Sequence, residues 1–353
     1  MRQRLTVADF DYELPPEAIA QTPAEPRDAS RLLVFDRGAS RAGEPALEHS
    51  TFRDMGTWVR PGDLLVLNDS RVIPARLRGT RSDGGGAEVL ALRPIDDERW
   101  EALVRSSRRV HPGERIALSD GAALTIGERL PGGTRAVVFP GDPLAVMAAA
   151  GEMPLPPYIR GRSTPAERYQ TVYADPPGSA AAPTAGLHFT PSLLADLEAA
   201  GVGHAMVTLH VGLDTFRPLE GERIDEHRIH REWYRIPPET RALIDATRAA
   251  GGRIVAVGTT TVRVLETAAR SGAGSGWTDL YITPPHRFAT VDALVTNFHL
   301  PRSSLLVLVT AFVGNGMRDA SPLAARDALL AAYRIALETG YRFFSFGDAM
   351  LLR

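Results

Sequence analysis

The chain has 353 residues, a formal net charge of −2, and 44% hydrophobic and 23% charged residues, a globular composition that excludes a mainly disordered, fibrous or coiled-coil protein. It has no cysteine, which excludes disulfides, thiolate nucleophiles and Cys-ligated zinc or iron–sulfur clusters, and its 40 basic residues are all arginine, which excludes Schiff-base catalysis by lysine. The near-neutral total excludes a polycation that coats nucleic acid indiscriminately, while leaving room for local basic patches.

At about 150 residues per domain the length predicts two domains. No apolar run reaches the ~18 residues of a bilayer span, and Met1-Arg2-Gln3-Arg4, soon followed by Asp9, Asp11 and Glu13, lacks the apolar stretch of a secretory signal. A cytoplasmic protein with no membrane partner is expected. The first strand falls at residues 32–35. Between Pro61 and Gly141 come short β-rich runs at 64–67, 87–92, 102–104, 115–118 and 136–139, separated by Gly and Pro turns, the spacing of a small barrel or sandwich. Asp83-Gly84-Gly85-Gly86 and Pro131-Gly132-Gly133 mark its clearest hairpins.

After Gly151 the texture changes to helices alternating with strands. Thr190-Pro191 fits N-cap then N1 of a helix with Leu193, Leu194 and Leu197 as its apolar stripe and Gly201 at its end, ahead of a strand at 204–210. Pro237-Pro238-Glu239 opens a helix that ends near Gly251-Gly252, and a strand at 253–257 runs into Gly258-Thr259-Thr260-Thr261 and another helix. Residues 305–309 read as a buried strand, Ser321-Pro322 starts a helix that stops at Gly340, and a last strand is expected at 342–346. This alternation predicts an α/β sheet domain. If residues 1–60 supply strands to that sheet, the β-rich segment 61–150 is a small barrel inserted into a discontinuous α/β domain of residues 1–60 and 151–353. Flexible links are expected at 175–179, 271–276 and 314–321.

Several clusters could carry chemistry. In Ala182-Pro183-Thr184-Ala185-Gly186-Leu187-His188-Phe189, small residues let backbone approach a ligand, and His188 is placed to act as base or acid; a packed or capping histidine is the alternative. Val257-Gly258-Thr259-Thr260-Thr261-Val262-Arg263 offers N–H groups and hydroxyls at a helix start, suited to a carboxylate, phosphate or ribose. Asp225-Glu226-His227-Arg228-Ile229-His230-Arg231-Glu232 reads as a hydrogen-bonded polar cluster rather than a metal site. His299 in Asn297-Phe298-His299-Leu300-Pro301 could reach a pocket or cap a turn, and Asn68-Asp69-Ser70-Arg71 is an Asx turn or a polar ligand contact. Arg71, Arg76, Arg78, Arg81, Arg105, Arg108 and Arg109, with Arg160, Arg162 and Arg168 just beyond, form a basic cluster suited to phosphates; ordinary solvated arginines are the alternative.

Nearly end to end, the chain resembles the S-adenosylmethionine:tRNA ribosyltransferase-isomerases of queuosine biosynthesis. The resemblance lies in Asp9-Phe10-Asp11-Tyr12-Glu13-Leu14-Pro15, in Gly62-Asp63-Leu64-Leu65-Val66-Leu67-Asn68-Asp69-Ser70-Arg71-Val72, in residues 182–189, 258–263 and 296–301, and in Tyr341-Arg342-Phe343-Phe344-Ser345-Phe346-Gly347-Asp348-Ala349-Met350. It implies an α/β domain carrying an inserted β-barrel. It also implies transfer and isomerisation of the ribosyl group of S-adenosylmethionine onto 7-aminomethyl-7-deazaguanine at the tRNA wobble position, giving epoxyqueuosine and releasing adenine and methionine, with no metal or organic cofactor.

For that reaction His188, with Thr184 beside it, is the expected base or acid, and His210 and His299 are its rivals. Thr259, Thr260, Arg263, Asn68, Arg71, Asn297 and Asp348 are expected to bind substrate, and Arg76, Arg78, Arg105, Arg108, Arg109 and Arg160 to bind RNA. Phe189, Phe298 or Tyr158 is placed to face the sulfonium. A monomer is favoured. The chain departs from the family pattern at Thr261, where Ser is usual, at Tyr281-Ile282-Thr283-Pro284-Pro285-His286-Arg287-Phe288, which loses a glycine and an aromatic, and at Arg302, where Lys is usual. Competing readings are a SAM-dependent RNA methyltransferase, which would release S-adenosylhomocysteine, and a noncatalytic RNA-binding factor, whose tRNA binding would be indifferent to S-adenosylmethionine.

Overall fold

The computed structural model describes residues 5–156, 158–159, 165–212, 219, 221–318 and 321–353. In chain order its strands are β1 (Arg31–Arg41), β2 (Glu44–Thr51), β3 (Leu64–Asn68), β4 (Arg71–Val72), β5 (Arg76–Arg81), β6 (Gly86–Pro94), β7 (Arg99–Ser106), β8 (Arg115–Leu118), β9 (Ala123–Arg129), β10 (Arg135–Val138), β11 (Gly151–Glu152), β12 (Pro177–Ser179), β13 (Gly203–Leu209), β14 (Glu232–Arg235), β15 (Ile254–Val257), β16 (Ser275–Thr278), β17 (Ala293–Asn297) and β18 (Ala349–Leu352). The helices are α1 (Pro143–Ala150), α2 (Pro191–Ala199), α3 (Pro238–Ala249), α4 (Thr259–Ser271), α5 (Ser304–Gly316) and α6 (Pro322–Glu338).

Nine strands form the main sheet in the order β16-β14-β13-β3-β15-β17-β18-β1-β2. Its centre, β13-β3-β15-β17, is parallel, and β3, β15 and β17 are buried at every position, as strands covered on both faces must be. Alternation along them divides two cores. Leu65, Leu67, Val255 and Val257 pack with Phe52, Met55 and the α2 residues Leu193 and Leu197. Leu64, Val66, Ile254 and Ala256 pack on the other face with residues of α3, α4, α5 and α6. Helix α2 begins as its sequence dictates, with the Thr190 hydroxyl accepting from Leu193 N–H and Pro191 following it.

The second unit is a closed antiparallel barrel. Six strands run β5-β6-β7-β10-β9-β8, the pairing of β5 with β8 closes the ring, and β11 adds to β5. At the seam a Cβ on Gly79 would lie 2.4 Å from the Ala117 carbonyl oxygen, so this junction requires glycine. Leu77, Val89, Trp100, Ile116, Leu124, Ile126 and Val137 fill the interior, and Met147 of α1 packs against them. The chain leaves the main sheet through β4 and returns through β12, and these two short strands pair in parallel.

The α/β sheet with an inserted barrel matches the sequence reading, but four local expectations do not. Residues 64–67, expected as the first barrel strand, are β3 at the centre of the main sheet; composition alone does not say which sheet a buried strand joins. Residues 305–309 are helical, inside α5, whose N-cap Ser303 accepts from Leu306 N–H. That helix is apolar nearly all round because it is buried all round, which erases the period that separates helix from strand. No strand forms at 342–346: Phe343 makes only an isolated bridge to Ile19, Phe344 has φ +77°, and the strand is β18, at 349–352. The expected links are also ordered in part, since 175–179 contains β12, Ser275 and Gly276 belong to β16, and Gly314 lies inside α5.

Candidate active site

The parallel strands β3, β13, β15 and β17 all end at one edge of the sheet, the side on which open α/β sheets place ligands. Asn68, His210, Gly258 and Asn297-Phe298-His299 follow from those ends, and Ser30 and Asp348 reach the same edge from β1 and β18. A small cavity of about 40 Å³ sits there, lined by Thr184, Thr259, Thr260, Asn297, His299 and Phe344 among others. Helix α4 points its first turn at this cavity with no side-chain cap, because its N-cap is Gly258 at φ +93°. Its first N–H groups lack the side-chain acceptor that a Ser or Asp would supply.

His188 lies just beneath, 4% exposed and stacked on Phe52 with ring centroids 4.9 Å apart. Its hydrogen bonds fix its state. Asn297 Nδ2 donates to the Phe344 carbonyl at 3.3 Å and faces His188 Nε2 at 3.1 Å, while Asn297 Oδ1 accepts from the Thr184 hydroxyl at 2.9 Å. A carbonyl can only accept, so the amide nitrogen is the donor and Nε2 is unprotonated. Nδ1 therefore carries the proton and donates to Ser30 Oγ at 2.7 Å. Both ring nitrogens are committed, and burial, helped by Arg342 and Arg27, lowers the His188 pKa to about 3. His299 is equally enclosed, with Nε2 against Thr296 Oγ1 at 2.9 Å, and burial lowers its pKa to about 3.

His210 differs from both. Its Nδ1 meets Ser70 Oγ at 2.8 Å, Ser70 Oγ meets Ser179 Oγ at 2.6 Å, and Ser179 Oγ accepts from Val211 N–H at 2.9 Å. Nε2 has no hydrogen-bond partner among the described residues. Burial lowers its pKa to about 4. A Cβ on Gly178 would lie 2.7 Å from Cε1 and Nε2 and 2.8 Å from Cδ2, so Gly178 packs against the face of the ring and no larger residue fits there without displacing it. His210 lines a second, larger cleft of about 780 Å³ between the barrel and the sheet. The two spaces stand back to back: His210, Gly212 and Ser304 line the cleft, while Val211 and Leu305 line the cavity.

The other expected residues divide by what they touch. Thr259 and Thr260 reach the cavity, Thr260 Oγ1 also accepting from Asn68 Nδ2 at 3.2 Å. Thr261, at the position where the family usually has Ser, turns its hydroxyl back to the Val257 carbonyl at 2.7 Å. Asn68 is spent inside the fold: its amide group bonds Leu209 N–H, the Leu209 carbonyl and Ser70 N–H. Arg263 lines the cleft, but it is buried in an ion pair with Glu232 and also donates to the Leu280 carbonyl at 3.2 Å. Asp348 accepts from the N–H groups of Arg31 and Arg342.

Arg71 pairs with Glu167 at 2.8 Å on the surface. Phe189 and Phe298 are core residues, and Tyr158 bonds Ser345 and packs edge-on against Phe344. The barrel arginines do not form one free cluster. Arg78 pairs with Glu88 and Glu152, Arg108 with Asp83, and Arg76 donates to the Leu155 carbonyl. Arg105 and Arg109 are exposed, beside the β7 end remote from the cleft; Arg160 lies outside the described residues. In the departing segment 281–288, His286 sits 3.7 Å from the buried Glu266, which accepts from the N–H groups of Ala289, Thr290 and Val291. Among the described residues no group of His, Asp and Glu is arranged to hold a metal ion, and no helix is long and apolar enough to cross a membrane.

Ser30, Ser179 and the carbonyl of Phe344 are not among the sequence-predicted site residues. Phe344 and Ser70 are signalled only as members of longer motifs, and nothing local marks Ser30 or Ser179, because they meet the site through tertiary contact. The sequence reading also missed the aromatic wall of the cleft, Trp233 and Trp277.

The fold defines an α/β protein with an inserted barrel and a cleft between the two units. The family model for queuosine biosynthesis proteins matches residues 7–352. Over 99% of its length the chain is 52% identical to the S-adenosylmethionine:tRNA ribosyltransferase-isomerase of Heliobacterium modesticaldum, all of which is covered, and 49% identical to that of Thermotoga maritima, again with full coverage. A crystal structure of the S-adenosylmethionine tRNA ribosyltransferase of Thermotoga maritima matches with a TM-score of 0.55 at 41% identity, covering 98% of this chain and all of that one. The chain belongs to the queuosine biosynthesis family and is an enzyme of its ribosyltransferase-isomerase class.

Proposed function

We propose that the protein transfers the ribosyl part of S-adenosylmethionine to 7-aminomethyl-7-deazaguanine at the tRNA wobble position and isomerises it there, forming epoxyqueuosine-tRNA and releasing adenine and methionine. The relatives' names support the two substrates. The observation that carries the reading to this chain is the uncapped start of α4 beside Thr184, Thr259 and Asn297, back to back with a cleft that presents an unpartnered imidazole nitrogen. The cavity accepts only a small end of a ligand. A carboxylate there meets the α4 N–H groups and the Thr259 hydroxyl, which suits the methionine end of the donor and directs its ribose toward the cleft.

The sulfonium acidifies the protons on the ribose 5′ carbon. His210 Nε2 takes one of them, and Ser70 and Ser179 can accommodate either tautomer of the ring, since a hydroxyl donates or accepts. The sugar ring opens as adenine departs, the aminomethyl nitrogen of the RNA base attacks the sugar, and epoxide closure expels methionine. His188 does not move a proton in this scheme. It is a positioning residue, holding Asn297 and through it Thr184. No metal or organic cofactor is required, S-adenosylmethionine being consumed as co-substrate.

Mass spectrometry of precursor tRNA incubated with purified protein and S-adenosylmethionine tests the reaction. Free adenine, free methionine and a mass gain on the wobble nucleoside are expected, with turnover unchanged by prior dialysis against EDTA. Release of S-adenosylhomocysteine would instead identify a methyltransferase, and loss of activity after EDTA would overturn the metal-free scheme.

A further inference from the structure

The wall of the cleft formed by β14 and β16 carries features that donor binding and proton transfer leave unused. Trp233 and Trp277 are direct partners across this antiparallel pair, so both indoles stand on one face of the sheet as neighbours. The His210 ring stacks on Trp233 with centroids 5.2 Å apart and planes 19° apart. The Arg93 guanidinium, reaching over from the barrel, lies 5.8 Å from the Trp277 ring centre. All four residues line the cleft, yet Trp277 leaves 40% of its surface exposed. A large flat ring that stays 40% exposed, with a cation over part of its face, has room for a further stacking partner.

The charge around it is selective. Of the six carboxylates lining the cleft, Asp96, Glu101, Glu226 and Glu232 are each held by an arginine, Glu101 by Arg93 itself, while Asp142 caps α1 by accepting from Leu144 N–H and Asp97 is exposed. Arg228 and Arg231 line the same cleft, are exposed, and have no carboxylate partner among the described residues. Two guanidinium groups without a carboxylate partner in the same cleft as an exposed indole match an unpaired base and its flanking phosphates, because every base has a π face to stack and each phosphate can take an arginine fork.

We propose that Trp277 is the stacking platform for one unpaired nucleobase of an RNA loop, which shares the ring with Arg93, and that Arg228 and Arg231 take the adjoining phosphates. This rests on the reading that the protein acts on tRNA and assigns the acceptor side of that same site. The ribbon ends at His210, one ring stack beyond Trp233, so a base laid on Trp277 is delivered to the mouth of the reaction site. The free arginines of the barrel, Arg105 and Arg109, lie too far along β7 to share this role and are left for more distant backbone.

The test uses the full-length protein, an RNA hairpin with an anticodon-sized loop, and the same sequence closed into uninterrupted duplex. Hairpin binding quenches tryptophan fluorescence in the wild type. Trp277→Ala weakens hairpin binding by roughly ten- to a hundredfold, Trp277→Phe restores most of it, and S-adenosylmethionine affinity by calorimetry is the same in all three. Arg228→Ala and Arg231→Ala each reduce the slope of log Kd against log salt by about one. Trp277→Ala binding the hairpin as tightly as wild type, or duplex binding as well as hairpin, overturns the platform while leaving the tRNA reading intact. If the wild type binds neither hairpin nor tRNA, the tRNA reading and the platform fall together.

Discussion

The cavity at the sheet edge and the cleft beside it are adjacent, yet built on opposite principles. Around the cavity the histidines are already paired: Ser30, His188, Asn297 and Thr184 form a continuous chain of hydrogen bonds, and His299 is bound to Thr296. Along the cleft the groups are left more open, with no hydrogen-bond partner for His210 Nε2 and no carboxylate partner for Arg228 and Arg231 among the described residues, and with Trp277 40% exposed. The difference separates two jobs that histidines perform. One with both nitrogens bonded in a buried network sets geometry, whereas one with a single nitrogen anchored keeps the other for chemistry.

The largest expected effect tests that division directly. His210→Ala lowers kcat by roughly 10²- to 10⁴-fold with tRNA binding and thermal unfolding close to wild type; turnover within a few-fold of wild type would remove His210 from the mechanism. Gly178→Ala drives a methyl into the face of the same imidazole and displaces the ring. It lowers kcat by about tenfold or more without touching the cavity, as a circular-dichroism-matched turnover assay would show, and an unaltered rate would mean that the placement of the His210 ring does not limit turnover.

His188→Ala has the opposite signature. Leaving Ser30 and Asn297 unpaired in the interior costs about 2–4 kcal/mol in denaturant unfolding, and any loss of kcat follows the loss of Asn297 order. The pH dependence of stability sharpens the same point. His188 and His299 are held near 3 and His210 near 4, against about 6.5 in the unfolded chain. Below pH 6.5 the unfolded state therefore takes up protons that the native state refuses. Stability is full above pH 6.5 and declines toward pH 4, by up to about 1.4 kcal/mol per pH unit for each histidine. Urea titrations show a shallower decline in His188→Gln, and an identical slope would contradict the neutral buried ring. The smallest effect falls on Thr259→Val, expected to raise the KM for S-adenosylmethionine a few-fold and leave the KM for tRNA alone.

Legibility in the sequence followed the range of the interactions. Helices α2, α3 and α6 and the barrel hairpin at Asp83-Gly84-Gly85-Gly86 were readable because caps, prolines and turn glycines act within a few residues. Helix α5 was misread because complete burial removes amphipathic contrast, and the strand near the C-terminus was misplaced because Asp348 bonds backbone N–H groups of Arg31 and Arg342 to form a turn there. Within the site, Thr184, His188, Asn297 and His299 were singled out from local motifs, and the structure brings them together. Their roles were not legible: Asn68 and Arg263 resemble ligand contacts in sequence, but their polar groups are bonded within the fold.

By itself the sequence determined the exclusion of cysteine and lysine chemistry, the sheet-and-barrel architecture and the small-residue motifs at the strand ends, because each depends on composition or on short-range pattern. Only the tertiary structure decided which histidine keeps a nitrogen free, which arginines are neutralised, and that two tryptophans from separate strands form one wall. Those properties depend on desolvation and on partners far apart in the chain, and no local pattern of residues encodes them.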